Sequence, residues 1–337
     1  MSAVVHLHFH PRHTGVTRHV VDVVRGLPAE AFGYGLPPGT PSISLGMLWR
    51  RVRSGDGVVH AHRNLELLVA LLLRAVGRSV RVVFTRHSTG RPSWWTRWLA
   101  GMADARVVFS PAAEGELGLP AQIVPHGVDT AEFAPPADRG RAWGALGVGG
   151  ERGLGVVGRI RPEKGQGDLA EAWRSLAPRF PAWRAVLVGR VAPTDARHAA
   201  QLLATAPLVA LGERNDVARV YQGLTVLVQP SRRESFGLVV LEAMAAGCCV
   251  VAANLGHLPP LIEHGRTGFL YPPGDAEALA AQLEPLLTDP LRAEAVGRAA
   301  AAEVRARHGV TEEVANLRAL YRRLGGPDAS SGSESRG

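Results

Sequence analysis

Short apolar runs rich in β-branched residues alternate along the chain with longer stretches whose apolar positions recur at helical spacing. The first kind predicts strands buried on both faces, the second amphipathic helices. Strands are predicted at Val4–Phe9, Val58–His62, Val80–Thr85, Ala105–Phe109 and Gln122–Val124, and helices near Val16–Gly26, Leu65–Val76, Trp94–Met102 and Ala112–Leu117. A passage rich in Pro, Ala and Gly follows at 131–153 and reads as a linker. The alternation then restarts with strands at Leu154–Val157, Ala185–Val188, Leu208–Leu211, Val226–Val228, Val250–Ala253 and Gly268–Tyr271, and ends in helical patterns near Pro290–His308 and Thr311–Leu324.

Two βαβ series imply an α/β chain with two Rossmann-like, doubly wound parallel sheets, whose ligands bind at the carboxyl ends of the strands in a cleft. The expected division is an N-terminal domain over 1–140, a C-terminal domain over 141–310, a helix over 311–325 packing back towards the first domain, and a disordered tail over 326–337. The start of the chain reads as a first strand rather than a leader. The longest apolar run, Leu67 to Leu73, is far below the ~20 residues that cross a bilayer, so the expected location is the cytoplasm. Adjacent Cys248 and Cys249 are poorly placed to bridge each other and read as reduced core residues.

Charge adds less than it first suggests. Of 38 basic residues, 37 are arginine and Lys164 is the single lysine, a bias that makes the net charge of +8 a poor guide to partners. The excess is concentrated: residues 50–106 hold eleven arginines against Asp56, Glu66 and Asp104. Within that stretch Trp94, Trp95 and Trp98 stand beside Arg91 and Arg97. Trp94 and Trp98, four apart, are expected to pack one helix face into the core. The alternative is docking on an anionic membrane surface through residues 50–106. Nucleic acid is not an expected partner, since no recognisable binding motif accompanies the charge.

The segment 229–251 carries the most chemistry. A strand ends at Pro230, a polar loop follows, and a helix is expected to start around Ser235–Phe236, where unpartnered amides and the helix dipole suit a phosphate. Gly237 lets backbone approach closely. Glu234 precedes the helix and Glu242 is expected some two turns inside it. Both carboxylates suit hydroxyl groups better than phosphate. Histidines 6, 8 and 10 share one face of the first strand, but one strand rarely closes a metal shell, and no metal site is expected.

Glu234 and Glu242 with seven residues between them, followed by Ala243-Met244-Ala245-Ala246-Gly247, resemble the E-x7-E signature of retaining GT-B glycosyltransferases of family 4. Gly158-Arg159-Ile160-Arg161-Pro162-Glu163-Lys164-Gly165, Pro125-His126-Gly127-Val128-Asp129 with Phe133, and Gly265-Arg266-Thr267-Gly268-Phe269-Leu270 agree in order and spacing. Residues 13–20, 48–51 and 58–68 resemble bacterial mannosyltransferases of the lipopolysaccharide core.

The resemblance implies a GT-B fold and a retaining, metal-independent hexosyltransferase. The expected donor is GDP-mannose, the acceptor lipid-linked or a lipopolysaccharide core, and the place of work the inner face of the cytoplasmic membrane. No cofactor is implied, the nucleotide sugar being a substrate. The catalytic set implied is His87, Glu234, Arg159 and Lys164. Gly15, Gly158, Arg159, Lys164, Ser235, Phe236, Gly237, Leu238 and Glu242 would bind the nucleotide sugar. Arg18, His62, Arg63 and Asn64 are candidates for the acceptor, and His60 stands beside them. Arg159 and Lys164 match the family's diphosphate clamp, and the absence of any Asp-x-Asp pair leaves these cations to serve where other glycosyltransferases use a metal. The departures are Thr14 for a glycine, His126 for a commoner asparagine, and Pro260 for a frequent glutamate. Alternative readings are a UDP-glucose or UDP-N-acetylglucosamine donor, and a non-catalytic lipid- or nucleic-acid-binding module.

Overall fold

A computed structural model describes residues 3–11, 15–54, 57–77, 79–88, 90–234, 236–256 and 258–325. The described residues form two compact units, one from residues up to Gly127 together with those from Val310, the other from Val128–Gly309. In chain order the first unit contains β1 (Ala3–Phe9), α1 (Gly15–Gly26), β2 (Ala29–Tyr34), α2 (Leu45–Ser54), β3 (Gly57–Ala61), α3 (Asn64–Val76), β4 (Arg81–Thr85), α4 (Trp94–Gly101), β5 (Ala105–Val108), α5 (Pro111–Leu117) and β6 (Gln122–Ile123). The second contains α6 (Arg139–Gly144), β7 (Arg152–Val157), α7 (Gln166–Leu176), β8 (Trp183–Val188), α8 (Ala196–Thr205), β9 (Leu208–Gly212), α9 (Val217–Gly223), β10 (Leu224–Gln229), α10 (Leu238–Ala245), β11 (Cys249–Ala253), β12 (Phe269–Tyr271), α11 (Ala276–Thr288) and α12 (Pro290–Arg307). The last helix, α13 (Val310–Arg323), belongs to the first unit.

Each unit holds a six-stranded parallel sheet, ordered β2-β1-β3-β4-β5-β6 and β12-β11-β10-β7-β8-β9. In the first unit successive strand residues serve opposite cores. Val4, Val58, Val83 and Val107 pack with Val314, Leu317 and Tyr321 of α13, whereas Val5, Val59, Val82 and Val108 pack with Leu67, Leu71 and Leu99 from α3 and α4. Burial on both faces is why these strands read as nearly unbroken apolar runs. The second unit repeats the device, with Leu154, Ala185, Val226 and Val251 against Leu169, Trp173 and Leu283.

In the first unit two elements, and between the units one boundary, differ from the sequence-based expectation. β2 was not predicted; its sequence, Ala-Glu-Ala-Phe-Gly-Tyr, has no β-branched residue, and it is held as an edge strand by its register with β1. Neither was α2, whose buried residues are only Leu48 and Val52. The passage 131–153, expected as a linker with the boundary between domains at 140 inside it, folds into the second unit, and the division falls at Gly127. There the Trp143 ring is buried against Gly153, and the Arg139 guanidinium donates to the carbonyls of Tyr221, Gln222, Leu224, Ala246 and Gly247. The predicted tail over 326–337 lies outside the described residues.

Candidate functional site

In the second unit the loops that leave β7 and β10 are stitched together. The Arg232 amide donates to Glu163 O at 2.9 Å, and the Arg232 guanidinium grips Asp168 of α7 with two bonds of 2.5 and 2.6 Å. Tyr271 of β12 adds its hydroxyl to the same carboxylate at 3.3 Å. Hydrogen bonding to Asp168 raises the Arg232 pKa, so the guanidinium keeps its charge in this bidentate strut. Gly165 makes the fit possible: its φ is +67°, and a Cβ there would stand 1.9 Å from Pro230 O.

This scaffold brings Lys164 and Glu234 into contact, with Nζ 2.9 Å from Oε2. Gln229 Nε2, at the end of β10, donates to the same oxygen at 2.7 Å, and Ser231 Oγ at 3.2 Å. Three donors thus fix one carboxylate oxygen. Gln229 and Ser231 were not singled out in the sequence; they flank Pro230 and Glu234 and carry no motif of their own. Arg159 follows β7 with its side chain exposed, while its carbonyl accepts from Gln166 Nε2 at 2.9 Å.

The helix after the loop starts later than expected. Gly237 is its N-cap, at φ +88°, and the first helical residue is Leu238 rather than one at 235–236. Phe236 is buried and Gly237 is the swivel between loop and helix, while the predicted contact residue Ser235 lies outside the described residues. Val240 and Leu241 donate to Gly237 O at 2.8 and 3.0 Å, which closes the first turn of the helix on its N-cap. The later start puts Glu242 little more than one turn inside α10, not two. It is 6 % exposed, and its Oε2 accepts from Tyr221 OH at 2.9 Å, which rules out a solvent-facing role.

In the first unit, register builds a second polar array. His6 pairs with His60 across β1 and β3, on the sheet face that α13 covers, and Thr85 of β4 follows on the same side. The contacts form one line. His87 Nε2 lies 3.1 Å from His62 Nδ1, and His62 Nε2 lies 3.0 Å from His6 Nδ1. His6 Nε2 is 3.2 Å from Tyr321 OH, which is 2.6 Å from His60 Nδ1, and His60 Nε2 is 2.6 Å from Thr85 Oγ1. Burial, reinforced by neighbouring imidazoles, lowers the pKa values of His6, His60, His62 and His87. These rings are neutral, each with one N–H, so each of His62 and His6 donates on one side and accepts on the other, which ties the tautomer of His87 to the contact with Tyr321.

This array revises the reading of the first-domain residues. His62 is 2 % exposed and His60 is fully buried, so both are interior members of the relay, not acceptor contacts. Arg63 precedes α3 and is half-buried; Asn64 Nδ2 is tied to Thr96 Oγ1 at 2.8 Å; Arg18 lies 4.0 Å from Asp22. Gly15 is the exposed first residue of α1, and Thr14 lies outside the described residues. His6, His8 and His10 do not converge: His8 Nε2 contacts Thr17 Oγ1 at 3.0 Å and its Nδ1 the Tyr34 carbonyl at 2.8 Å. The expectation that Trp94 and Trp98 pack into the core is overturned. They are 77 % and 53 % exposed, and Trp95, stacked on Trp98 with ring centroids 5.0 Å apart, is 39 % exposed. Spacing of four defined a face, but the face is bare.

Residues 151–289 match the model of the family described as glycosyl transferases group 1. The chain is 35 % identical over 340 residues to the lipopolysaccharide core biosynthesis mannosyltransferase LpcC of Rhizobium leguminosarum bv. viciae, covering 96 % of each chain. It is 31 % identical over 341 residues to the corresponding enzyme LpsB of Rhizobium meliloti, covering 95 % of this chain and 97 % of that one. The fold is similar to that of Anabaena Alr3699/HepE in complex with UDP and glucose, at a TM-score of 0.82 and 22 % identity over 96 % of this chain and 100 % of that one.

Proposed function

Because the chain belongs to the glycosyl transferases group 1 family, and is a glycosyltransferase of GT-B fold, we propose that it moves mannose from GDP-mannose to a lipopolysaccharide-core acceptor, with retention of configuration. The observation that carries donor and acceptor is the end-to-end relation to LpcC and LpsB, which includes the first unit as well as the second.

The chemistry follows from charge. As the bond between the sugar's anomeric carbon and the diphosphate breaks, negative charge grows on the departing phosphate, and groups already fixed there lower the barrier. Lys164 and Arg159 supply the positive charge, and the N-terminus of α10 supplies amide donors. Lys164, held by Glu234, keeps that carboxylate from repelling the diphosphate. Glu234 is then the acceptor for a hydroxyl of the transferred sugar, Glu242 for the ribose, and His87 is assigned to a sugar hydroxyl. The new bond from the acceptor oxygen forms on the face the diphosphate leaves, and the acceptor's proton passes to the departing phosphate oxygen. Two cations, in a sequence without an Asp-x-Asp pair, serve where other glycosyltransferases use a metal.

The exposed Trp94, Trp95 and Trp98, with exposed Leu72 and Val76 on neighbouring α3 and the arginine excess of 50–106, support peripheral docking on an anionic membrane at the cytoplasmic face. Among the described residues no helix is long and apolar enough to cross a membrane.

Thermal-shift ranking of nucleotides tests the donor. GDP and GDP-mannose should raise the melting temperature more than UDP and UDP-sugars do; the reverse order moves the assignment to a UDP-sugar donor.

A further inference from the structure

Three interior side chains of the first unit converge, and two of them, His19 and Glu313, carry buried polar atoms without a hydrogen bond. His19 of α1, His126 after β6 and Glu313 of α13 have side chains 1 %, 7 % and 2 % exposed. His19 Nδ1 stands 3.0 Å and His126 Nδ1 3.2 Å from the same oxygen, Glu313 Oε1. Yet Oε1 and both ring nitrogens of His19 make no hydrogen bond. Buried polar atoms are nearly always partnered, and an orphan among them points to a missing group. The other carboxylate oxygen, Oε2, accepts from the Gly127 amide at 2.9 Å, a contact that turns Oε1 towards the imidazoles.

We propose that His19, His126 and Glu313 bind a divalent first-row transition ion of the zinc type. The ligands of a tetrahedral ion with bonds of about 2.0–2.1 Å stand about 3.3 Å apart, close to the separations seen from each imidazole to Oε1. Two imidazoles and one carboxylate form a ligand set that zinc uses, with one position left for water or another donor. The Gly127 amide supplies the outer contact that orients a ligating carboxylate. The three ligands lie within 4.8 Å of one another.

Two other groups of histidines are as close-knit but do not serve. In His6, His60 and His62 each of the six ring nitrogens already has a hydrogen-bonding partner in the relay. In His19, His62 and His87 the last two are bonded to each other. The ion would fasten α13 to α1 and to the loop after β6 within the first unit, whereas Arg159, Lys164 and Glu234 belong to the second.

The test uses tag-free full-length protein stripped with EDTA and dialysed, then titrated with zinc chloride in a calorimeter and, separately, with cobalt(II) followed by visible absorption. One equivalent of zinc should bind, with cobalt giving the intense bands of a tetrahedral site. His126→Asn restores the residue commoner in the resembled family at that position, so it should fold, as circular dichroism will show, while weakening zinc by at least about 100-fold. Glu313→Gln should do the same, and His60→Asn should leave affinity and stoichiometry unchanged. The assignment is overturned if the wild-type chain binds no zinc, if folded His126→Asn binds it like wild type, or if His60→Asn is the variant that loses it.

Discussion

Lys164 Nζ lies 2.9 Å from Glu234 Oε2, so the chain's single lysine neutralises the carboxylate of the loop that follows β10. Side-chain exposures of 22 % and 12 % make this a partly screened pair whose worth to folding is small. Its importance is positional: the carboxylate is fixed by three donors, and the ammonium is held at the mouth of the loops next to the start of α10. Lys164→Ala should therefore lower kcat by about 100- to 1,000-fold, the usual cost of one transition-state donor, with little change in melting temperature. Lys164→Arg should recover only part of that loss, because a planar guanidinium cannot replace a compact ammonium against both Glu234 and a phosphate. Steady-state transfer rates and thermal melts check both.

Tyr321→Phe tests the histidine relay. Removing the hydroxyl leaves His6 Nε2 and His60 Nδ1 without their shared partner, at a cost of about 1–3 kcal/mol for buried groups, readable as a lower urea midpoint. Because the tautomer of His87 is then no longer tied to the far end of the line, kcat should fall while KM for the donor stays near wild type. An unchanged kcat would show that the relay does not set His87.

The same histidines give a signed pH dependence. The pKa of His6 is lowered by burial, and then by His19, to about 3 from an ordinary 6.5, and those of His60 and His62 are lowered in the same direction. In the unfolded chain they take protons near pH 6.5, while the folded chain refuses them. Their contribution to stability is complete above pH 6.5 and is lost as pH falls below it, that of His6 as pH approaches 3. Urea midpoints should decline steadily over that window, and His60→Asn should flatten the decline.

Cys248 and Cys249 behave in the opposite sense. Burial pushes the Cys248 thiol up to about 11 and that of Cys249 higher still, so neither forms the reactive thiolate near neutrality. Native protein at pH 8 should give no fast reaction with a disulfide reagent, and two equivalents after unfolding. The linked stability is complete below the ordinary thiol range, around pH 9, and is lost as pH rises towards 11 and beyond.

Replacing Trp94, Trp95 and Trp98 by serine should weaken sedimentation with vesicles containing anionic lipid by at least about fivefold, without altering transfer to a soluble acceptor fragment. Equal binding to neutral and anionic vesicles, or no loss in the triple variant, would remove the membrane from the picture.

These features were unevenly legible in the sequence. Strands such as Val4–Phe9 and Val226–Val228 announce themselves because parallel sheets bury both faces, and Glu234 and Glu242 stand out by their spacing. β2 did not, because an edge strand of small and aromatic residues takes its form from β1. Trp94 and Trp98 show a second limit: periodicity names a face and says nothing about what covers it. The relay of His6, His60, His62 and His87 with Tyr321 depends on strand register and on a helix 261 residues beyond His60, which no local pattern contains. Gln229 and Ser231 were hidden for a simpler reason, since only folding turns them onto Glu234.

Transfer of labelled mannose from GDP-mannose to lipopolysaccharide-core acceptors, measured with wild-type protein and Lys164→Ala together with Glu234→Ala, bears most directly on the assigned site. Expected is a mannosylated product of retained configuration from the wild type, and a rate lower by about 1,000-fold or more in the double variant. Activity in the double variant within a few-fold of wild type would contradict the site, and a wild-type chain that neither binds nor transfers from any common nucleotide sugar would contradict the proposed reaction.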